Sequence, residues 1–372
     1  MHNGLPARIT SEMLIITAYI PCHNNESTLA EVAAALRKQT RPAEQYLFIN
    51  DRCTDRSPAI AREHGFTVID LVGKYGLGAG RNLALQHCTS DVLFGVDADV
   101  VAEEDFLQRL DEAFARHPKA AAIGGRVDEK FTTNAPDLWR SIYMSQHHGD
   151  HELLNPRLLF GATMAVRTAA ARRLGGWDER FITNFEDVDL CQRFRTTRMP
   201  YVYVPQCRAW HLRRDTLDSL LQGHWNWNYV GFEFTCAKMD TWLNGRMPFI
   251  WETYRKCRGD PAQRPELMQI NLLLPWAWMI RDLCALRKSV GYLGDISAVA
   301  GIADEVLKRY NAGDRIRADI GEVLARLIRS LEDMSAQSPL MPIMFDAIRR
   351  EAMASIPDDN YWRACRAGSA IG

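Results

Sequence analysis

The chain has 372 residues, of which 47% are hydrophobic and 24% charged, so it can bury a large core and has room for two domains. Its formal net charge of −1 at pH 7 gives no electrostatic footprint for a nucleic-acid partner. Nine cysteines stand singly without a Cys-x-x-Cys pair, which indicates neither a disulfide framework nor a zinc site and favours a reducing, cytoplasmic location.

The first apolar stretch, Met13 to Ile20, predicts a strand. It lacks the cationic start and the small-residue cleavage site of a signal peptide. The longest later apolar run, Ile270 to Ile280, contains Asn271 and Pro275 and is shorter than the about 20 residues that span a bilayer. We therefore expect no transmembrane helix.

Strands and helices alternate over the first part of the chain. Apolar runs predict strands at residues 14–20, 46–49, 66–69 and 92–96, with helices between them. Strands separated by helices of about 8–15 residues indicate an α/β fold with a parallel sheet covered on both faces. After residue 104 the pattern loosens, with further strands predicted at 122–127, 158–166 and 201–204.

From about residue 215 the pattern becomes helical. Apolar residues recur at helical spacing from Ile316 to Leu331, after an N-cap at Asp314. We expect an α/β domain over residues 1–215 and a helical C-terminal domain over residues 216–372, the latter with an acceptor or oligomerisation role.

Seven of the ten tryptophans lie between Trp210 and Trp278. They could pack a helix bundle, line an acceptor site or touch a membrane interface. Trp225 and Trp227 are the candidates for an acceptor site.

The most informative motif is Asp97-Ala98-Asp99, directly after the strand at 92–96. Two carboxylates one residue apart form a hard-oxygen site that suits Mg²⁺ or Mn²⁺ held together with nucleotide phosphates. Ligand sites in open α/β sheets lie beyond the carboxyl ends of the strands, where this motif falls. A solvated turn is the alternative, since Asp is a common turn residue.

Other polar groups follow predicted strands at the same edge. Pro21 to Glu26 follow the first strand and Asp51 follows the second, where a carboxylate can accept a hydrogen bond from a base or a ribose. A helix cap and a turn residue are the alternatives. Gly76 to Asn82 open a helix, and Arg81 there suits a phosphate or a base edge. A tight glycine turn explains this loop equally well.

Glu186-Asp187-Val188-Asp189 places three carboxylates at a predicted helix N-terminus. The helix dipole explains an acidic first turn, yet one of these acids could serve as a general base.

His211 follows the last strand; a lone His is more often structural, but imidazole also binds Mn²⁺. A solvated acceptor loop is favoured over a metal site for a further group of imidazoles: His147, His148 and His151.

In their order along the chain, these motifs resemble those of family 2 glycosyltransferases with the GT-A fold. The resemblance covers roughly residues 13–215. It is carried by Pro21 to Glu26, Asp51, Gly78 to Asn82, Asp97-Ala98-Asp99, Phe160 to Thr163, Glu186-Asp187 and His211. It implies a doubly wound, mostly parallel sheet flanked by helices, and a reaction that inverts the anomeric centre of a nucleotide-activated sugar.

The resemblance also implies roles for individual residues. It assigns Asp187 as the catalytic base, and Asp99 and His211 as ligands of Mn²⁺ or Mg²⁺. The nucleotide sugar would be bound by Pro21, Glu26, Asp51, Arg81, Asp97, Gly161, Ala162 and Glu186.

The implied function is transfer of one sugar from a nucleotide-diphosphate donor, with a UDP-sugar favoured, to a hydroxyl of a saccharide, lipid-linked or protein acceptor in glycan synthesis. The chain has no Gln-x-x-Arg-Trp sequence of the kind seen in processive synthases, which favours single transfers. A sugar-nucleotide pyrophosphorylase is one alternative, but its Gly-rich signature is absent after the first strand. A non-catalytic nucleotide-sugar-binding protein is the other. Peripheral contact with the inner face of a membrane stays open.

Overall fold

The fold is seen in a computed structural model, which describes residues 14–235, 242–258, 265–290 and 341–354 and the single positions 305, 308 and 322. Contacts divide the chain into two compact units. The first comprises residues 1–131 and 145–213, and the second comprises residues 132–144 and 214–372. Apart from position 322, the helix predicted from Ile316 to Leu331 lies outside the described residues.

The first unit is built on a nine-stranded sheet. The strands are β1 (Ile16–Cys22), β2 (Gln45–Asn50), β3 (Thr67–Asp70), β4 (Val92–Gly95), β5 (Val100–Ala102), β6 (Ala122–Glu129), β7 (Leu153–Leu154), β8 (Met164–Arg167) and β9 (Tyr201–His211). Their order is β3-β2-β1-β4-β8-β6-β9-β5, and β7 pairs with β9.

The sheet is parallel from β3 through β2 and β1 to β4. Strand β8 then runs antiparallel to both of its neighbours, β4 and β6, whereas β6 and β9 are parallel to each other. The predicted α/β class with a helix-flanked sheet is confirmed. The parallel arrangement is interrupted at β8.

The described helices are α1 (Glu26–Arg37), α2 (Ser57–Glu63), α3 (Leu77–His87), α4 (Phe106–Arg116), α5 (Ala135–Tyr143), α6 (Thr168–Arg173), α7 (Glu186–Thr196), α8 (Leu217–Thr235), α9 (Met247–Arg258), α10 (Pro265–Asn271), α11 (Leu274–Val290) and α12 (Met341–Ala354). In the first unit, α1, α2 and α4 pack on one face of the sheet, and α3, α6 and α7 pack on the other.

Strand β1 shows why the sheet is covered on both faces. Ile16, Ala18 and Ile20 belong to the core beneath α1 and α4, and Tyr19 belongs to the core beneath α3. Successive side chains of a strand point to opposite faces, so a continuous apolar run must be covered on both. The strand continues through Pro21 to Cys22, whose carbonyl accepts the N–H of Asp51 at 2.9 Å.

The second unit is helical and its interior is rich in tryptophan. Its fully buried side chains include Trp139, Trp242, Trp251, Trp276 and Trp278. These residues pack the helices together, which is the first of the roles considered for the tryptophans.

Trp225 and Trp227 are half-buried in the same unit. The indole N–H of Trp225 donates to the buried carboxylate of Asp282 at 2.8 Å. An acceptor role for the two tryptophans stays a prediction. Within the described part of the chain, we find no helix with the length and apolar character needed to cross a membrane.

Candidate functional site

The register of three strands brings an acid, an imidazole and a second acid together. The Asp97-Ala98-Asp99 motif lies in the turn between β4 and β5. Val100 of β5 pairs with His211 of β9, and His211 pairs with Glu129 of β6. As a result, the Nε2 atom of His211 lies 3.1 Å from Asp99 Oδ2, and its Nδ1 atom lies 3.0 Å from Glu129 Oε2.

These contacts set the charge on His211. Burial lowers the pKa of the imidazole, but Asp99 and Glu129 outweigh that effect and raise the pKa to about 9. Both ring nitrogens of a protonated imidazole are donors, so each finds a carboxylate acceptor here.

A second cluster is centred on Arg81 of α3, which is only 2% exposed. Its Nε atom donates to Glu186 Oε1 at 3.0 Å, and a terminal nitrogen donates to the hydroxyl of Tyr19 at 3.1 Å. Its other terminal nitrogen lies 3.5 Å from Asp97 Oδ1. A buried guanidinium needs such compensation, because an unpaired charge inside a protein is costly.

The acidic start of α7 faces this guanidinium. Burial raises the pKa of Glu186 to about 7, although Arg81 opposes the shift. Its Oε2 atom is buried and has no hydrogen-bond partner. The residue before it, Phe185, has φ of 73° in the left-handed region, which is strained for a bulky side chain.

Asp187 is held by two backbone groups. Its Oδ2 atom accepts the N–H of Gly161 at 2.8 Å, and its Oδ1 atom accepts the N–H of Val188 at 2.7 Å. Burial nevertheless raises the pKa of this carboxyl above its usual range. The carboxylate is thus fixed in position while its proton affinity is increased.

The loop at Gly161 fits closely against Arg81. A Cβ atom at Gly161 would lie 2.6 Å from a terminal nitrogen of Arg81 and 3.2 Å from Glu186 Oε1. The neighbouring carbonyl of Ala162 accepts the N–H of Asp97 at 3.2 Å. Glycine is therefore required where the loop, the guanidinium and the acidic helix start meet.

A cleft of about 430 Å³ lies at the carboxyl ends of β1 and β2. Pro21, Asp51, Tyr75 and Gly76 are among its lining residues. Asp51 Oδ2 accepts the N–H of Gly76 at 2.7 Å. The guanidinium of Arg52 lies over the Tyr75 ring, 4.4 Å from its centroid.

Glu26 does not line this cleft. Its carboxylate accepts the backbone N–H of Arg56 at 2.9 Å, which satisfies a donor at the start of α2. This contact is made at the start of α2 and not at the start of α1, whose N-cap residue Asn25 makes no side-chain cap hydrogen bond. The predicted nucleotide contact of Glu26 stays a prediction.

The glycine-rich loop packs against the segment of residues 178–182. The N–H groups of Leu77 and Gly78, at the start of α3, donate to the carbonyls of Ile182 and Phe181 at 2.7 and 3.1 Å. A Cβ atom at Gly78 would lie 2.5 Å from the carbonyl oxygen of Asp178. The turn interpretation of this loop is therefore favoured, because these donors are already used.

The structure groups the predicted site residues into three adjoining sets. The first set surrounds or adjoins the Arg81 guanidinium and consists of Arg81, Asp97, Gly161, Ala162, Glu186 and Asp187. The second set is the pair of Asp99 and His211. The third set lies at the cleft and consists of Pro21 and Asp51. Burial of Arg81 favours a role in positioning the carboxylates, and its nucleotide contact stays a prediction.

Sequence reasoning did not find Tyr19, Tyr75 or Glu129. Tyr19 and Glu129 lie inside strands without a motif, so only strand pairing reveals them. A signal for Tyr75 existed, since it is an aromatic residue directly before the glycine loop.

The imidazoles of residues 147–151 do not form a metal site. His148 packs between Phe160 and Tyr203, with ring centroids 5.2 and 5.1 Å away, and its Nε2 atom contacts the carbonyl of Leu158. Burial lowers the pKa of His147. Over the residues that the structure describes, no group of three or more His, Cys, Asp or Glu side chains could hold a metal ion by itself.

Asp99 and His211 nevertheless suit a divalent cation that is shared with a ligand. Carboxylate and imidazole are ligands of Mn²⁺, and Mg²⁺ typically takes one or two carboxylates together with substrate phosphates. The nearby Asp97 Oδ1 atom is buried without a hydrogen-bond partner, although it lies 3.5 Å from the Arg81 guanidinium.

The chain is similar to several known proteins. The chain is 22% identical over 229 residues to the poly-beta-1,6-N-acetyl-D-glucosamine synthase of Staphylococcus epidermidis. That alignment covers 59% of this chain and 55% of the relative, so the chain spans about half the length of the curated relatives it matches.

Two solved structures are also similar. The mannosyltransferase PcManGT from Pyrobaculum calidifontis, in complex with GDP-Man and Mn²⁺, aligns over 91% of this chain and 88% of its own, with 14% identity and a TM-score of 0.47. GalNAc-T7 with UDP, GalNAc and Mn²⁺ aligns over 72% of this chain and 56% of its own, with 15% identity and a TM-score of 0.46. Residues 17–181, which include the Asp97-Ala98-Asp99 turn and most of the residues that line the cleft, match the family model described as glycosyl transferase family 2.

Proposed function

We propose that this chain is an inverting, metal-dependent glycosyltransferase, which moves one sugar from a nucleotide-diphosphate donor to an acceptor hydroxyl. The observation that carries the proposal is the convergence of four carboxylates, those of Asp97, Asp99, Glu186 and Asp187, from two distant parts of the chain. Asp97 and Glu186 contact the buried guanidinium of Arg81, Asp99 contacts His211, and a cleft of nucleotide size lies at the same sheet edge. A UDP-sugar is the favoured donor, a saccharide, lipid-linked or protein hydroxyl is the acceptor, and the cytoplasm is the expected location.

The cleft supports binding of the donor's nucleoside. Its volume of about 430 Å³ falls within the about 300–1,000 Å³ that ligand pockets occupy. Asp51 is oriented by the N–H of Gly76 and can accept a further hydrogen bond from a base N–H or a ribose hydroxyl. Tyr75 is 48% exposed and offers an aromatic face at the same cleft.

Asp187 is the proposed general base. The acceptor hydroxyl attacks the anomeric carbon from the face opposite the leaving diphosphate, and its proton passes to the Asp187 carboxylate. The two backbone donors hold both oxygens of this carboxylate in place, and the raised pKa increases its proton affinity. No protein nucleophile is needed for inversion.

Asp99 and His211 would hold the divalent metal together with the donor phosphates, and His211 would bind it through Nε2 after loss of the proton that this nitrogen shares with Asp99. When bound, a divalent cation neutralises the negative charge that builds on a departing diphosphate. Glu129 accepts a hydrogen bond from the other ring nitrogen of His211 and so fixes the orientation of the ring. Arg81 holds Asp97 and Glu186 in place between the cleft and the base.

Donor hydrolysis tests the proposal. The protein is incubated with a panel of UDP- and GDP-sugars and Mn²⁺, and release of nucleoside diphosphate is measured with and without simple sugar acceptors. We expect metal-dependent release from one donor, and a thermal shift with the same donor because a ligand of the folded state raises its stability. A thermal shift without release would favour a non-catalytic binding protein. Conversion of the nucleotide sugar and added pyrophosphate into sugar 1-phosphate and nucleoside triphosphate would favour a pyrophosphorylase.

Asp187→Asn tests the assigned base. The substitution keeps the shape and the contact with Gly161 but removes the proton acceptor, so turnover should fall about 10²–10⁴-fold with little loss of donor affinity. The matched control is Asp189→Asn in the same helical turn, because Asp189 pairs with Arg193 at 2.7 Å. Equal turnover of Asp187→Asn and Asp189→Asn would reject the assignment.

A further inference from the structure

Two cysteines meet at the wall of the cleft. Cys22 ends β1 and is among the residues that line the cleft, whereas Cys53 lies in the turn that follows β2. Their sulfur atoms are 3.9 Å apart, and both are free thiols. Neither thiol has a part in the proposed sugar transfer.

The surrounding backbone keeps this contact in place. Cys22 is paired with Asn50 on the adjacent strand, and the Asn50 side chain accepts the N–H of Cys53 at 2.9 Å. Arg52, between them, has φ of 57°, so the chain turns back sharply. The Cys53 thiol then points at Cys22, with its sulfur 3.3 Å from the Cys22 carbonyl oxygen.

The two thiols differ in reactivity. Cys22 is 4% exposed, whereas Cys53 is partly exposed and its sulfur accepts the N–H of Asn24 at 3.3 Å. The contact with Cys22 lowers the pKa of Cys53 to about 7, and the same contact raises the pKa of Cys22. Thiolates are the attacking species in disulfide exchange, so Cys53 reacts first and Cys22 is placed to resolve the intermediate.

We propose that Cys22 and Cys53 form a redox-active pair, which a small-molecule disulfide such as oxidised glutathione converts into an intramolecular disulfide that weakens donor binding. The Cys53 thiolate attacks one sulfur of the small disulfide and expels one glutathione thiolate. Cys22 loses its proton to solvent, attacks the sulfur of Cys53 and expels the second glutathione. Two protein thiols are thereby oxidised, and one small disulfide is reduced to two thiols.

Closing the bond changes the cleft. A disulfide requires about 2.05 Å between sulfur atoms, so the present separation of 3.9 Å must shrink by nearly half. We expect side-chain rotation together with a shift of the turn after β2 towards β1 to close this gap, and this turn carries Asp51 and Arg52. Asp51 then moves relative to Gly76, and Arg52 moves relative to Tyr75. This consequence for the donor rests on the proposed function.

The first experiment maps the thiols in the full chain. The protein is equilibrated with oxidised or reduced glutathione, alkylated and digested, and its peptides are identified by mass spectrometry. We expect a Cys22–Cys53 disulfide in the oxidised sample and its loss after dithiothreitol. The matched control is Cys88→Ser, which removes a thiol near Ser90 and Thr168 and should still form the disulfide. A stable glutathione adduct on Cys53, or alkylation of both Cys22 and Cys53 in the oxidised sample, would contradict the proposed redox-active pair.

The second experiment measures binding of nucleoside diphosphates in the presence of Mn²⁺ by titration calorimetry. The oxidised protein should bind its preferred diphosphate about tenfold more weakly than the reduced protein, the factor that corresponds to roughly 1.4 kcal/mol. Cys53→Ser should show the same affinity under both conditions. A mapped disulfide with unchanged affinity would overturn the effect on the donor. A reduced protein that binds no nucleoside diphosphate would instead contradict the proposed function, while the thiol map would still decide whether the pair exists.

Discussion

Replacing Arg81 by Met tests whether one buried cation holds the acidic site together. The substitution keeps much of the apolar stem and removes the charge and all of the guanidinium donors. Arg81 contacts Glu186 at 3.0 Å, Tyr19 at 3.1 Å and Asp97 at 3.5 Å, and both Arg81 and Glu186 are 2% exposed. Water therefore cannot replace the donor that Glu186 loses.

The expected loss of stability follows from that burial. Removing one partner of a buried ion pair typically costs about 3–5 kcal/mol, because the other charge is left uncompensated. Folded domains are stable by only about 5–15 kcal/mol, so the loss is a large fraction of the total. Glu186 can reduce the loss by taking up a proton, since burial already raises its pKa to about 7 and Arg81 opposes that shift. The deficit should accordingly be smaller at acidic than at alkaline pH.

Hydrogen exchange followed by mass spectrometry is the suitable assay, because it reports the opening free energy of β1, α3 and α7 separately from the helical unit. The matched control is Arg180→Met, which removes an Arg–Asp178 pair whose guanidinium side chain is 72% exposed and should leave exchange unchanged. Adding Glu186→Gln to Arg81→Met should recover part of the loss. A loss below about 1 kcal/mol, the size measured for exposed ion pairs, would refute the reasoning.

Three further predictions concern pH, packing and metal affinity. The pKa of Glu186 rises from 4.5 to about 7 on folding, so the folded state holds the proton more tightly. The free energy of unfolding should therefore fall by up to about 3 kcal/mol as pH rises from below the lower pKa to above the higher pKa. Glu186→Gln should remove this pH dependence when urea unfolding is measured at a series of pH values. Parallel curves of wild type and variant would contradict the assignment of the pH dependence to Glu186. Gly78→Ala should destabilise the first unit by about 1–3 kcal/mol, the usual cost of overpacking, because its Cβ would lie 2.5 Å from the Asp178 carbonyl. Gly80→Ala in the same helix has its closest contact at 3.6 Å and should be tolerated in the same thermal-denaturation assay; equal effects would reject the steric argument. Glu129→Gln should weaken Mn²⁺ affinity about 10–100-fold, because loss of a hydrogen-bonding partner of a metal ligand typically has an effect of this size. The affinity is measured by titrating Mn²⁺ into protein that contains a nucleoside diphosphate. An unchanged affinity would show that Glu129 does not support the metal ligand His211.

Much of the first unit was predictable because its signals are local. Apolar runs bounded by polar turns identified β1, β2, β3 and β4, and the acidic start of α7 was found at Glu186. Parallel strands place their carboxyl ends at one edge, so Asp51 and Asp97 were expected at a common site before any contact was known.

Other features of the site could not be predicted because they depend on pairing between distant segments. The contact of His211 with Asp99 and Glu129 requires the β5–β9 and β6–β9 registers. The glycine loop illustrates the same limit. Its sequence permitted either a ligand contact or a tight turn, and only the tertiary structure shows that two of its N–H groups donate to the carbonyls of residues 181 and 182.

The sequence by itself determined the α/β class, the helical C-terminal region and the positions of most acidic site residues, because strand and helix periodicities and strand-end polarity are properties of neighbouring residues. The tertiary structure alone decided which charges meet. It buried Arg81 between Asp97 and Glu186, inserted the antiparallel β8 into the sheet, and placed Cys53 against Cys22. Each of these features depends on burial and on strand register. Both involve residues that are far apart in the sequence, so they leave no local sequence pattern.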